Sequence, residues 1–137
     1  MSKITPFLMF EGKAEEAINF YTSIFQDSEI IHLTRYKAGE PGNEGEVSRA
    51  VISINGQEFL CTDSSVKHAF TFTPSISLYV NCDSEEEIDE AYAKLSDGGQ
   101  LLMPLDSYSF SKKFGWVQDK FGVSWQLNLD KFTSDGR

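Results

Sequence analysis

The stretch FGWVQDKFGVSWQLNL, residues 114–129, contains the pattern from which the fold follows, because two strand-like runs flank a tight turn. Gly122 closes that turn, where glycine supplies the positive φ that a short hairpin connection requires. After the turn, polar and apolar side chains alternate, so one face of the last strand is polar. That face carries Ser124, Gln126 and Asn128. A polar strand face in a small protein is exposed or lines a cavity, and we expect a cavity here.

The composition indicates a small globular protein without nucleic-acid or membrane partners. With 137 residues, 40% of them hydrophobic, the chain can bury a core of its own. Its 21 acidic and 12 basic residues give a formal charge of -9, which repels phosphate backbones and anionic membranes. No apolar run approaches the ~20 residues of a membrane span and no signal peptide is evident, so we expect a cytoplasmic protein.

The cysteine and histidine content argues against a disulfide framework or a structural zinc site. Cys61 and Cys82 each lie in or at the end of a strand-like run, as small buried hydrophobic residues do. His32 and His68 stand at no recognisable ligand spacing from them. We therefore interpret both thiols as buried and unreactive, and both histidines as structural or solvated.

The first half of the chain predicts the order β, α, β, β, β. Apolar residues at three- and four-residue steps predict an amphipathic helix over residues 13–26. Pro6 costs the first strand a ladder hydrogen bond, which favours an edge or strand-end position. Asn55 and Gly56 are a favoured pair for a type I′ hairpin turn. The predicted strands are 4–10, 28–36, 47–54 and 58–62, with a loop over 38–45.

The second half predicts the same order after a polar connection over residues 63–74. Ser84 to Glu87 has the sequence of a capping box, and Gly98 with Gly99 ends the helix that this box begins. The predicted inner face of that helix consists of Ile88, Ala91, Tyr92 and Leu95. The predicted strands are 75–81, 100–105 and the two arms of the 114–129 hairpin, with a loop over 106–113.

The sequences of the two halves can be aligned with each other. A shift of 71 residues puts Tyr21 on Tyr92, and a shift of 66 puts Gly56 on Gly122 and Leu60 on Gln126. Such an internal repeat predicts two similar units that bury their apolar faces by pairing. We expect an α+β fold of paired βαβββ modules, 1–63 and 74–132, within a single domain 1–137. Each mixed sheet should curl into a cup, with a cleft where the polar faces meet.

Two segments carry a family resemblance. Residues 4–25, ITPFLMFEGKAEEAINFYTSIF, and 114–127 resemble the PhnB-like branch of the vicinal oxygen chelate superfamily, which includes glyoxalase I, bleomycin-resistance proteins and extradiol dioxygenases. This branch is often labelled 3-demethylubiquinone-9 3-methyltransferase. The resemblance implies a homodimer in which cupped sheets of the glyoxalase-like fold enclose a site for a small molecule.

The resemblance also implies where a metal would bind. Metal-dependent relatives take four ligands, usually His and Glu, from the first and last strands of both modules. The matching positions here are Pro6, Leu60, Ser75 and Gln126, with Thr62 and Ser77 as the alternatives if the register slips by two. None of these side chains is anionic or an imidazole, which a divalent cation needs to offset the loss of its hydration. We therefore expect no metal.

No other cofactor is expected either. Cofactors of the nucleotide type bind where a strand leads through a glycine-rich turn into a helix. The glycine-rich segment GEPGNEG, residues 39–45, is acidic and leads into a strand instead. We therefore treat the methyltransferase label as a family name and not as an activity.

The candidate binding residues are side chains of the predicted polar strand faces. Gln126 either binds a ligand or pairs with neighbours inside the sheet. Trp116 either packs in the core or forms an aromatic wall of the cleft. The hydroxyls of the strand 75–81 contact a ligand if their face is the interior, and a partner subunit otherwise. The predicted ligand-binding residues are Gln126, Trp116, Gln118, Ser75, Ser77, Tyr79 and Thr62.

Two function classes follow. The first is metal-free binding of a small organic molecule between cupped sheets. The alternative is a lyase, isomerase or dioxygenase of the superfamily whose metal is held by other groups such as Asp63, His68 or Cys61. Asp119 could serve as a base, but an aspartate at the start of a turn normally caps the amides of that turn.

Overall fold

The computed structural model describes residues 3–131, which form two compact units, one ending at Ala69 and the other beginning at Phe70. The first unit contains β1 (Phe7–Phe10), α1 (Ala14–Ile24), β2 (Glu29–Arg35), β3 (Val47–Ile54) and β4 (Gln57–Asp63). The second contains β5 (Ser77–Asn81), α2 (Glu85–Ser96), β6 (Gln100–Tyr108), β7 (Ser111–Gln118) and β8 (Ser124–Leu129). The α+β class and both βαβββ orders are confirmed. Within residues 3–131, neither helix is long and apolar enough to cross a membrane.

The first sheet has the order β1-β4-β3-β2, with β1 parallel to β4 and the other pairs antiparallel. As predicted, β1 is an edge strand, and Pro6 lies just before it with its carbonyl accepting the Leu60 amide at 2.9 Å. Asn55 and Gly56 both have positive φ, 52° and 92°, which a type I′ turn requires. The buried side of the sheet packs on α1, whose inner face includes Ile18 and Tyr21, both fully buried.

Two predictions for the first unit need correction. The helix predicted over 13–26 ends at Ile24, because Phe25 is extended and Asp27 has a positive φ of 54°. Asp63, predicted to begin the connection between the halves, is the last residue of β4 and is only 1% exposed. Its carboxylate is buried because it accepts three backbone amide hydrogens, as described below.

The second sheet has the order β5-β8-β7-β6, the same topology as the first. The capping interaction is present, since Ser84 Oγ accepts the Glu87 amide at 3.1 Å. The Glu87 carboxylate accepts the amide of Asp83 at 2.6 Å, one residue before the expected partner. Gly98 follows the helix end with a φ of 77°, which confirms the predicted stop.

The predicted loop over 106–113 is wrong. β6 extends to Tyr108 and β7 begins at Ser111, so these strands form a hairpin with only two residues between them. The register of this pair shifts three times, between Leu101 and Met103, Met103 and Asp106, and Asp106 and Tyr108. Each irregularity interrupts the alternation of side chains, which hides the strand from a pattern of period two. The strand predicted over 75–81 begins at Ser77.

The sequence repeat corresponds to matched structural positions. Phe59 and Trp125 are both buried, at 5% and 1% exposure, while Leu60 and Gln126 are both half-buried. Gly56 and Gly122 have nearly equal φ, 92° and 96°. The predicted module limits at residues 1 and 132 lie outside the described residues, so the module boundaries remain a prediction.

Candidate ligand-binding face

The second sheet presents one polar face. A Cβ on Gly115 of β7 would meet the ring of Tyr92 in α2, so Gly115 and its β8 partner Leu127 face the helix. Strand alternation turns their sequence neighbours to the other side of the sheet. We call that side the polar face; on β8 it carries Ser124, Gln126 and Asn128.

The strand register arranges the polar face in three rows that run across the four strands. Gln126 lies in the middle row, directly between Tyr79 of β5 and Trp116 of β7. The complete rows, in the strand order β5-β8-β7-β6, are Tyr79-Gln126-Trp116-Met103, Ser77-Ser124-Gln118-Gln100 and Asn81-Asn128-Phe114-Asp106. The middle row therefore places a carboxamide between two aromatic side chains.

Hydrogen bonds join the middle row to the row of Ser124. The Trp116 indole donates to Ser124 Oγ at 2.8 Å, and Gln126 Nε2 donates to Ser77 Oγ at 3.3 Å. The two serine hydroxyls are 2.6 Å apart, and either can donate to the other. Whichever does, the network uses only one of the two hydroxyl protons. The structure also gives Gln126 Oε1 no donor among residues 3–131, so the network keeps one hydroxyl donor and one amide acceptor for another partner.

Asn128, in the third row, differs from Gln126 because both its side-chain oxygen and its side-chain nitrogen have hydrogen-bond partners. Its Oδ1 accepts the buried Ser111 hydroxyl at 2.6 Å. Its Nδ2 donates to Asn81 at 3.0 Å and to Asp130 at 2.8 Å. With only 4% exposure, Asn128 holds strands together, whereas Gln126 is half-buried and makes a single bond.

An aromatic cluster adjoins the rows. Phe114, at 4% exposure, lies 6.4 Å from Tyr79 and 5.1 Å from Phe110, measured between ring centroids. Tyr108 stacks on Phe110 at 5.5 Å. Tyr79 and Phe110 remain 54% and 59% exposed. Partial burial raises the pKa of the Tyr79 hydroxyl, and the negative charge of Asp130 adds to that rise.

The predicted site residues are divided by the structure. Gln126, Trp116, Ser77 and Tyr79 lie together in two adjacent rows. Gln118 is in the row of Ser77, but its Nε2 donates to the Gly122 carbonyl at 3.0 Å and so braces the turn.

Ser75 and Thr62 lie elsewhere. Ser75 precedes β5 and its hydroxyl pairs with Thr73 at 2.7 Å. Thr62 belongs to the first unit and donates to the Ser48 carbonyl at 2.8 Å. Sequence reasoning missed Phe110 and Tyr108 because both fall in the segment wrongly predicted as a loop.

The positions implied for a metal do not fit one. Proline and leucine side chains at Pro6 and Leu60 have no donor atoms, and the Pro6 carbonyl already accepts the Leu60 amide. Ser77 and Gln126 are neutral and bond to each other. This set contains no anionic or imidazole ligand, which a divalent cation requires.

The groups named for an atypical metal site have other roles. Asp63 accepts the amides of Gly12, Ala14 and Val47 at 2.8, 2.9 and 3.0 Å. Burial raises the pKa of the Cys61 thiol to about 12, with a smaller contribution from Asp63, so the thiolate that binds metals is disfavoured. His68 Nε2 is 2.9 Å from Ser64 Oγ. Among residues 3–131, no three His, Cys, Asp or Glu side chains are grouped as metal ligands.

The two helix N-termini are occupied by side chains of the protein itself. At the start of α1 the Asp63 carboxylate accepts the Ala14 amide, and at the start of α2 Ser84 Oγ accepts the Glu87 amide. An anionic cofactor group that binds at a helix N-terminus needs those amides free. The first turns also carry carboxylates, Glu15 and Glu16 in α1 and Glu85, Glu86 and Glu87 in α2, which repel an anion that approaches the remaining amides. Asp119 likewise caps its own turn, accepting the Phe121 and Val123 amides at 2.8 and 3.0 Å.

Comparison with known proteins agrees with this fold. A family model described as 3-demethylubiquinone-9 3-methyltransferase matches residues 2–128. A solved structure of a PhnB protein from Bacillus cereus is 63% identical, with a TM-score of 0.92, over 93% of this chain and 99% of that chain. The Escherichia coli (strain K12) protein YjdN is 22% identical over 93% of this chain and 95% of its own length. A glyoxylase/bleomycin resistance protein/dioxygenase domain from Frankia sp. EAN1pec, 13% identical over 96% of this chain and 93% of that chain, has the same fold with a TM-score of 0.67.

Proposed function

The chain belongs to the 3-demethylubiquinone-9 3-methyltransferase family and has the fold of the vicinal oxygen chelate superfamily, and from this premise we propose that it binds a small organic molecule on the polar face of its second sheet. The observation that carries the proposal is that Gln126 lies between two aromatic side chains and that its hydrogen-bonding network with Ser77 and Ser124 leaves one donor and one acceptor unused. A site that combines aromatic surface with a few convergent polar groups is typical of small-molecule binding.

Binding proceeds without a divalent metal in this proposal. The implied positions supply only neutral oxygens or no donor at all, and Asp63 is occupied by three amides. The alternative of a metal-dependent lyase, isomerase or dioxygenase would need ligands from elsewhere in the chain. Elemental analysis of protein purified without chelators tests this point. We expect far less than one metal per chain, and one tightly held metal per chain would favour the alternative.

Methyl transfer, which the family name describes, is not part of the proposal. Within residues 3–131, Asp63 and Ser84 each take an amide at a helix N-terminus and the first turns of both helices are acidic, which disfavours the strand-to-helix anion site that nucleotide-type cofactors use. Calorimetric titration with S-adenosylmethionine should give no binding heat. Saturable binding would contradict this part of the proposal.

We also propose that the protein is a cytoplasmic homodimer. The exposed apolar side chains Ile4 at 85% and Ile31 at 48% in the first unit, and Ile76 at 77% in the second, are candidates for contact with a partner chain. Two unpaired, buried cysteines support a reducing compartment. Light scattering on a sizing column tests the dimer, for which we expect twice the 15.4 kDa chain mass.

The test of ligand binding is a metabolite screen on the wild type and a matched pair of variants. Gln126→Leu removes the open acceptor of the polar face, whereas Gln57→Leu changes an exposed glutamine at the start of β4. We expect metabolites that raise the melting temperature of the wild type and of Gln57→Leu, but not of Gln126→Leu. Equal responses from all three proteins would place binding elsewhere, and the absence of any binder would contradict the proposed function.

A further inference from the structure

Resting on the proposed function, we infer that the ligand is a planar aromatic molecule that carries a neutral or positively charged hydrogen-bond donor, N–H or O–H, and not a carboxylate or a phosphate. Three features of the polar face point to such a ligand. These are the open acceptor of Gln126, the aromatic side chains around it, and the sign of the surrounding charge.

The side-chain oxygen of Gln126 is the open acceptor. Gln126 lies between Tyr79 and Trp116 and commits its Nε2 to Ser77, which leaves its Oε1 without a donor among residues 3–131. A carbonyl oxygen with no protein donor is matched by a ligand N–H or O–H. A ligand that offered only acceptors would satisfy the remaining serine hydroxyl but would leave this half-buried oxygen unpaired, at a cost in affinity.

The aromatic side chains set the shape of the ligand. β5 and β7 both pair with β8, so Tyr79 and Trp116 stand on either side of Gln126, with roughly 10 Å between their strands. Exposed rings of Tyr79 and Phe110 continue this surface past Phe114. A flat ring that reaches Gln126 therefore meets aromatic surface on both sides, and offset or edge contacts favour an aromatic ligand.

The surrounding charge disfavours an anion. Of the ten acidic residues between 70 and 131, seven lie in or beside α2 on the other side of the sheet, so the charges that act most strongly on the polar face are those near its three rows. Asp106 lies in the row of Phe114, and Asp130 accepts from Asn128 at the end of that row. Lys113 is paired with Asp89 of α2 at 2.6 Å, whereas the exposed Lys112, two residues before Phe114, lies on the polar face by alternation, beyond the row of Phe114. A cationic group gains from these carboxylates and from the exposed rings.

The experiment compares the binding of four fragments built on similar bicyclic rings. Binding is followed by NMR through the tryptophan indole N–H signals of the ¹⁵N-labelled protein. Indole has an N–H donor and benzofuran replaces it with oxygen; tryptamine is cationic and indole-3-acetate is anionic. The chain has two tryptophans. Trp116 reports on the polar face, whereas the buried Trp125, which donates to Asp119 at 2.9 Å, is the internal control.

We expect indole to move the Trp116 signal and to bind about five times more tightly than benzofuran, as one net hydrogen bond allows. Tryptamine should bind more tightly than indole-3-acetate. In Gln126→Leu the difference between indole and benzofuran should fall below twofold, and in Gln57→Leu it should persist. Gln126→Glu, which keeps the shape of the side chain, should widen the preference for tryptamine.

Three results would overturn the inference. They are equal binding of benzofuran and indole to the wild type, tighter binding of indole-3-acetate than of tryptamine, and no movement of Trp116 with any fragment. The metabolite screen judges the proposed function separately. A metabolite that binds through Gln126 but is anionic or not aromatic would sink the inference and leave the proposed function standing.

Discussion

Replacing Asp63 with alanine should destabilise the protein more than almost any other single polar substitution. The carboxylate is 1% exposed, and it accepts the amides of Gly12, Ala14 and Val47 at 2.8, 2.9 and 3.0 Å. These bonds join the end of β4 to the start of α1 and to the start of β3. The role of Asp63 is therefore to hold the first unit together.

The expected magnitude follows from the three amides that Asp63→Ala would orphan. A buried donor left without a partner costs about 1–3 kcal/mol. Ala14 and Val47 are fully buried, whereas Gly12 is exposed enough for water to replace the carboxylate. Two orphaned amides therefore cost about 2–6 kcal/mol, a large part of the 5–15 kcal/mol that typically stabilises a domain. Asp63→Asn should cost somewhat less than Asp63→Ala, because the amide group keeps one acceptor oxygen. Some loss remains, since the NH2 of the amide is a donor turned toward a backbone N–H.

Urea unfolding followed by circular dichroism measures this loss. The matched control is Asp97→Ala, which removes an exposed aspartate after α2 and should change the free energy of unfolding by less than about 0.5 kcal/mol. If Asp63→Ala cost less than about 1 kcal/mol, the carboxylate would not be a structural acceptor. Its availability as a metal ligand would then have to be reconsidered.

Two further predictions concern other buried groups. Asp119→Ala removes the acceptor of two turn amides and of the Trp125 indole. It should lower the free energy of unfolding by about 2–4 kcal/mol and move the Trp125 indole N–H signal in the NMR spectrum. An unchanged signal would contradict the capping role of Asp119. Burial raises the pKa of Cys61 and of Cys82 to about 12, whereas an unfolded thiol titrates near about 8.5. The folded state therefore holds more protons between these values, and the free energy of unfolding should fall as pH rises through that window. Urea melts at pH 8 and pH 10 should show a smaller fall for Cys61→Ala than for the wild type, and equal falls would contradict the assignment.

Much of the fold could be predicted because its turns and helix ends have strong local signals. Gly56 and Gly122 mark two hairpins, and Ser84 marks the start of a helix, each through a requirement of backbone geometry or capping. The bulged hairpin of β6 and β7 has no such signal, because its alternation is interrupted three times. Asp63 resembled a loop residue because its three amide donors are 16 to 51 positions away in the chain.

The candidate site was predictable only within each strand. Alternation placed Ser124, Gln126 and Asn128 on one face, but it could not show that Asn128 is saturated by Ser111 while Gln126 is not. That difference depends on how the strands are paired and in which register. The pattern of residues within one strand does not determine the register between strands that are far apart in the sequence. The same limit explains why Ser75 was placed in the strand beside Ser77.

The most direct test of the proposed site is the response of the two indole N–H signals to a metabolite extract. If the polar face of the second sheet binds the ligand, the extract should move the Trp116 signal of the wild type and leave Trp125 in place, and Gln126→Leu should abolish the movement. A stationary Trp116 signal in the presence of a metabolite that demonstrably binds the protein would contradict the assignment of this face as the binding site.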